Sequence, residues 1–225
     1  LGLHGAAIAP VAAPAEIELL QQLPAPPRVL ELDGWEESAF LTARRRLPET
    51  ALFVRVPVER DLTPLVRAGV RLFHLTADYH GRCGGSCLRD AIRVAHGSLV
   101  KDGLREEMVL IGSGGIITAS DVPKAIICGL DAVALDTVVL VALQAGFEGE
   151  CVDRASAAIK MPVFEPAWAA QRLMNLVAAW RDQMLEILGA MGLREVRRLR
   201  GELGRTMFQE ELEREAFAGI AGFEG

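Results

Sequence analysis

Short apolar and β-branched runs recur along the chain at 5–9, 28–32, 51–58, 70–76, 108–112 and 131–135, each of a length suited to a buried strand. The stretches between them, at 16–23, 36–46, 61–68, 87–102 and 121–128, have room for helices. Strand and helix in alternation predict six parallel βα units. The clearest helix sets Leu88, Ile92, Ala95 and Leu99 on one stripe with Arg89, Asp90, Arg93 and Lys101 off it, the pattern of a helix lying on a sheet. Ser120 before Asp121-Val122-Pro123 marks another helix start, and Gly129 its end.

Past about residue 149 the alternation stops. Leu173, Leu176, Val177, Trp180, Met184 and Ile187 follow at helical spacing, which predicts a helical extension over 151–225 packed on a βα domain over 1–150. Gly189 and Gly192 end the stripe after about two heptads, too soon for a coiled coil. Arg194, Arg197, Arg198 and Arg200 read as a solvated basic face, with docking of a partner as the alternative.

Composition narrows the class. Of 225 residues, 51% are hydrophobic, enough for one large core, and a formal charge of −6 offers no footprint for nucleic acid. The cysteines Cys83, Cys87, Cys128 and Cys151 are too scattered for a disulfide framework. No apolar run reaches membrane-spanning length, so the expectation is a cytoplasmic protein; a first residue that is Leu1 suggests a piece of a longer polypeptide.

Candidate chemistry concentrates where the strand Val109-Leu110-Ile111 runs into Gly112-Ser113-Gly114-Gly115-Ile116, with a helix start a few residues on. Glycines at the carboxyl end of a strand let backbone N–H groups approach an anion; they equally suit a tight turn that needs positive φ. Ile117 stands where a Rossmann fingerprint has its third glycine, and the turn comes late in the chain. A (β/α)8 TIM-barrel, by contrast, places its phosphate grip after the last two strands. Two polar features sit inside strands. Arg55 interrupts the apolar 51–57 run and requires an anionic partner, with Asp78 and Asp136 as candidates. In the following strand Leu72, His74, Thr76 and Asp78 share one face, as expected for a barrel interior near a ligand.

Ser113-Gly114-Gly115-Ile116, Asp121-Val122, Lys124-Ala125, Gly129, Asp131-Ala132-Val133-Ala134 and Thr137 together resemble the flavin-binding central domain of glutamate synthases. The helices through Arg172-Leu173-Met174-Asn175-Leu176 and Glu186-Ile187-Leu188-Gly189 extend the resemblance over about residues 50–205. It implies the last six units of an eight-unit barrel and an FMN cofactor. The FMN phosphate would lie on the amides of Gly114, Gly115, Asp136 and Thr137, with Ser113 beside it and the Thr137 hydroxyl in reach. It also implies that Arg55 stands where the family has a lysine near the reduced ring, a role for a cation that is not a base.

Departures from the family are as informative. Asp136 replaces a glycine and sets a carboxylate near the phosphate. Asp78-Tyr79-His80-Gly81-Arg82 differs from the family's glycine-rich loop, leaving His80 as a candidate proton donor. Ala145, Cys151 and Ser156 occupy the positions of three cluster cysteines, so no iron–sulfur cluster is expected in this chain, and no other metal. The activity implied is reduction of an imine of a 2-oxo acid to an amino acid, with an amidotransferase and an electron donor as partner domains or subunits. An N-methylglutamate synthase-like subunit is an alternative within that class, and a non-catalytic or degenerate barrel acting as a scaffold or as a phosphate-ligand binding subunit is the alternative outside it.

Overall fold

The computed structural model describes residues 11–22, 26–149 and 158–202. Its centre is a six-stranded, all-parallel sheet of β1 (Val11–Ala12), β2 (Val29–Asp33), β3 (Ala51–Pro57), β4 (Leu72–Thr76), β7 (Val109–Ser113) and β8 (Ala132–Val133), hydrogen-bonded in that order. Chain order and spatial order coincide, so each crossover returns on the same side of the sheet. α1 (Glu37–Arg46), α2 (Thr63–Arg67), α3 (Leu88–Lys101) and α4 (Asp121–Cys128) occupy those crossovers. Two hairpins stand outside the main sheet: β5 (Arg82–Cys83) with β6 (Ser86–Cys87), and β9 (Gly146–Glu148) with β10 (Ala158–Lys160). α5 (Thr137–Ala142) and α6 (Pro166–Ala190) are the remaining α-helices among the described residues.

Five of the six predicted strands coincide with strands of this sheet. The predicted run at 5–9 lies outside the described residues, and the first described strand is β1. The predicted helix at 16–23 is a 3-10 turn over Pro14–Gln22. α2 is shorter than predicted because Asp61 Oδ1 accepts the Thr63 amide at 3.0 Å, starting the helix at Thr63.

Alternation along the strands gives the sheet two unlike faces. Leu30, Leu32, Val54, Val56, Phe73, Leu75 and Leu110 point to the helical layer and are at most 2% exposed. Burying each of these side chains contributes about 1.5–3 kcal/mol against leaving it in water. The opposite face carries Glu31, Asp33, Arg55, His74, Thr76, Ile111 and Ser113. Register sets Asp33 beside Arg55, Arg55 beside His74, and Thr76 beside Ser113. A parallel sheet normally reads apolar on both faces, so this polar set marks the side on which chemistry would occur.

The chain's last described turn is tied down by a second apolar cluster of Ile126, Ile127, Leu188 and Leu199, with Met184, Met191, Leu193 and Val196 packed on it. Leu188, absent from the predicted stripe, is the buried anchor of α6, whereas Val177 is 58% exposed. Beside this cluster Asp131 Oδ2 accepts from Arg105 Nη2 at 2.9 Å and from the Leu110 amide at 2.8 Å. Its Oδ1 accepts from Arg200 Nη1 at 2.5 Å, and Arg200 also reaches Glu106. The basic face expected to be solvated therefore holds for Arg197, which is 86% exposed, but not for Arg200, which clasps the tail to the sheet.

Candidate functional site

The glycine turn leaves the carboxyl end of β7 with φ of 99° at Gly114 and 69° at Gly115. A Cβ on Gly114 would lie 2.5 Å from the Asp78 carbonyl oxygen, and one on Gly115 would lie 2.6 Å from Gly81 Cα. Both reasons for glycine act at once: a left-handed backbone and a close approach to the 77–81 loop. The Gly114 and Gly115 amides have no protein acceptor among the described residues. Asp121, in the first turn of α4, accepts from the amides of Ile117 and Thr118 at 3.0 and 2.7 Å. Asp121 thus ties the loop ahead of α4 to the helix's first turn, while Ser120 at the N-cap makes no side-chain cap bond.

A cleft of about 270 Å³ opens against the turn, lined by Gly114, Gly115, His80, Arg89, Lys124 and Asp121 among others. Lys124 lies there beside the unpartnered amides, with Arg89 paired to Asp90 and the Asp121 carboxylate also in the wall. A larger cavity of about 630 Å³ lies between α2 and α3, with Leu62, Val66, Val94 and Leu99 in its wall. It is larger but touches neither the glycine turn nor the polar sheet face, so its size says nothing about the chemistry.

At the end of β8 the backbone enters α5 through Asp136, whose Oδ1 accepts the Thr137 amide at 2.6 Å. This amide is one of those expected to face a phosphate, and here a carboxylate of the chain itself takes it. Thr137 Oγ1 is buried and has no hydrogen-bond partner among the described residues, an arrangement that costs about 1–3 kcal/mol unless a ligand or water satisfies it.

On the polar face three side chains from three strands form a continuous chain. Glu31 Oε2 stands 3.0 Å from His74 Nδ1, and His74 Nε2 stands 2.9 Å from Ser113 Oγ. His74 and Ser113 are buried, at 6% exposure each. Sequence reasoning placed His74 on the inner face and Ser113 at the turn but missed their contact and Glu31 entirely. The alternation of β4 was the available signal; the partner on β2 is brought in only by strand order.

Arg55 is half-buried, and its carboxylate neighbour is Asp33, at 3.8 Å on the adjoining strand, rather than Asp78 or Asp136. Asp78 is engaged locally, its Oδ1 accepting from the amides of His80 and Arg82 at 2.9 and 2.7 Å. His80 is exposed at the tip of that loop, lining the cleft rather than the polar face. Cys83 is buried, and burial, followed by the negative charge of Glu59, pushes its thiol up to about 11. Among the described residues no three His, Cys, Asp or Glu side chains converge as metal ligands. Cys151 and Ser156, two of the aligned cluster positions, lie outside the described residues. No described helix is long and apolar enough to cross a membrane.

Comparison with known proteins gives these features a context. The profile described as "Conserved region in glutamate synthase" matches residues 81–194, half of the chain, and includes the hairpin, the glycine turn, Asp136 and Thr137. The archaeal glutamate synthase [NADPH] of Methanocaldococcus jannaschii is 38% identical over 122 residues, covering 51% of this chain and 24% of that protein. The archaeal-type glutamate synthase [NADPH] of Thermotoga neapolitana is 37% identical over 120 residues, 49% of this chain and 23% of that protein. The chain thus spans about a quarter of the length of these relatives. Among solved structures, a double mutant of flavocytochrome b2 with sulfite bound superposes with a TM-score of 0.58 at 14% identity, over 87% of this chain and 53% of the other. At that identity the likeness is one of fold.

Proposed function

The chain belongs to the glutamate synthase family, and from that premise we propose that it is the FMN-binding portion of a larger oxidoreductase that reduces an imine of a 2-oxo acid to an amino acid. The observation that carries the reading is the pair of unpartnered amides at Gly114 and Gly115, at the carboxyl end of a parallel sheet and in the matched part of the chain. In this reading residues 1–150 contribute six of eight βα units, and segments beyond this chain close the barrel over the open sheet edges. The helical extension expected over 151–225 is carried, among the described residues, by α6 (Pro166–Ala190) and the short turn Val196–Leu199, after the strand β10. The relatives' much greater length supports partner domains, an amidotransferase and an electron donor among them, within a cytoplasmic enzyme.

The residues present fit a flavin phosphate in most respects. Gly114 and Gly115 supply N–H donors, Ser113 a hydroxyl, and the buried Thr137 hydroxyl lacks the partner that a phosphate oxygen would be. Asp136 fits it poorly, because its carboxylate holds the Thr137 amide and repels an incoming dianion. Binding therefore requires Asp136 to rotate away. Bound FMN supplies hydride transfer; the chain's own share is to hold the phosphate, orient the ring and set its electrostatics. Arg55, on the polar face with Asp33 as a neighbour at 3.8 Å, would offset negative charge on the reduced ring. His80 is the candidate proton donor from the loop. No iron–sulfur cluster belongs to this portion, and stoichiometric iron in the purified protein would refute that part.

The Asp136 contact also favours a second reading, a family member whose cradle is closed by its own carboxylate and which serves as a scaffold. Anaerobic reduction of the FMN-loaded chain, followed by 2-oxoglutarate with ammonium, separates the two. Reoxidation of the flavin with formation of glutamate supports the enzyme. A chain that takes up no FMN, or whose bound flavin stays reduced under those conditions though it reoxidises with an artificial acceptor, supports the scaffold.

A further inference from the structure

The Glu31–His74–Ser113 chain climbs from the interior of the sheet to the residue that precedes the glycine turn, and with a neutral imidazole it has one proton too few to serve an anion there. With Glu31 ionised and accepting from His74 Nδ1–H, a neutral imidazole has only a lone pair at Nε2. Ser113 must then point its hydroxyl hydrogen inward, at Nε2, and show lone pairs to whatever lies outside. In the cofactor reading above Ser113 stands beside the phosphate, whose oxyanion would meet those lone pairs. If Ser113 instead turns its hydrogen outward to the anion, Nε2 and Oγ oppose each other, lone pair to lone pair, in a site 6% exposed. One added proton resolves the conflict: Nε2–H donates to Ser113 Oγ, Ser113 donates to the anion, and Glu31 balances the imidazolium.

We propose that the Glu31–His74–Ser113 chain is a proton-linked grip, taking up one proton from solvent for each phosphate monoester or similar oxyanion bound at the glycine turn. The inference deepens the cofactor reading above and rests on it, since the phosphate it serves is that of FMN. The charged groups that neighbour His74 are Glu31 and Asp33 on β2 and Arg55 on β3; Asp78, beyond β4, is turned into its own loop. On the β7 side the neighbours are neutral, Ile111 in register and Ser113 in contact. Arg55 has a carboxylate 3.8 Å away, which leaves Glu31 as the carboxylate that directly supports a charged His74. Placing the extra proton on Glu31 instead gives the same count for the chain, so the stoichiometry does not depend on which of the two carries it.

The test is calorimetric titration of the whole chain with FMN, and separately with riboflavin, between pH 7 and 8.5, where a phosphate monoester is already dianionic. Two buffers of different ionisation enthalpy report the protons exchanged. About one proton taken up per FMN, none per riboflavin, and an affinity for FMN falling close to tenfold per pH unit are expected. In His74→Gln, whose amide donates to Ser113 without titrating, the uptake disappears while FMN still binds. On the unaltered protein, the ¹⁵N signals of His74 should pass from one protonated nitrogen to two as FMN is added. FMN that binds with no proton uptake, or with the same uptake in His74→Gln, overturns the grip and leaves the cofactor reading standing. Absence of FMN binding at every pH overturns both.

Discussion

Replacing Asp131 by alanine should destabilise the chain strongly, because this carboxylate ties three elements together. Asp131 holds three donors: Arg105, whose side chain is 3% exposed, Arg200, and the amide of the fully buried Leu110. Arg105 keeps the carbonyls of Met108 and Gly129 as acceptors, so its guanidinium is not stripped of hydrogen bonds, but it loses its counter-charge. Removing one partner of a buried ion pair costs about 3–5 kcal/mol, and the 22% exposure of Asp131 puts the expected loss near the lower end, about 3 kcal/mol. With a urea slope of about 2 kcal/mol/M, the unfolding midpoint should fall by roughly 1.5 M. Asp131→Asn keeps an acceptor for the Leu110 amide but not the charge, and should fall between alanine and the unaltered chain. The readout is far-UV circular dichroism against urea at constant pH and salt. An alanine variant within about 0.3 M of the unaltered midpoint would refute the reasoning, as would an asparagine variant indistinguishable from alanine, since the latter would assign the amide no value.

Other consequences follow from the same contacts. His96 accepts from Arg105 Nε at 3.0 Å, and its pKa is lowered, chiefly by burial and then by the charges of Arg105 and Arg200. Its neutral form is therefore favoured by folding: the stability this confers is complete above the unfolded value of 6.5 and is lost as pH falls below it, so urea midpoints should drop on acidification, less so in His96→Gln. Gly114→Ala forces a Cβ to within 2.5 Å of a backbone oxygen at a φ of 99°, and should cost about 2 kcal/mol or more and abolish anion binding at the turn; retained stability and binding in that variant would contradict the packing described. Cys83, buried and with its thiol at about 11, should resist iodoacetamide at pH 8 in the folded chain and react once urea unfolds it, as followed by peptide mass mapping.

Much of the sheet was legible because buried parallel strands are short apolar runs, and 28–32, 51–58, 70–76, 108–112 and 131–135 are of that kind. The hairpins were not legible: two-residue strands such as Arg82–Cys83 carry no periodicity. Neither was the partner of Arg55. Asp78 and Asp136 were plausible by chemistry, but the acid that reaches it is the one opposite in the ladder, and register appears only when strands are ordered side by side. Glu31, His74 and Ser113 illustrate the same limit, since each belongs to a different strand and nothing local to one names the other two. The glycine turn was readable because its constraint is local: positive φ and a close approach force glycine whatever the rest of the fold does. Arg200 was misread as solvated because its partner Asp131 lies far off in sequence.

The central claim, that this glutamate synthase family chain holds FMN at the glycine turn, is tested most directly by equilibrium titration of the purified chain with FMN, followed by flavin fluorescence and visible absorption. The account predicts saturable binding at one site, weaker for riboflavin, and strengthened at least tenfold in Asp136→Gly, which frees the Thr137 amide. A chain that leaves FMN fluorescence unchanged, with Asp136→Gly equally inert, would contradict it.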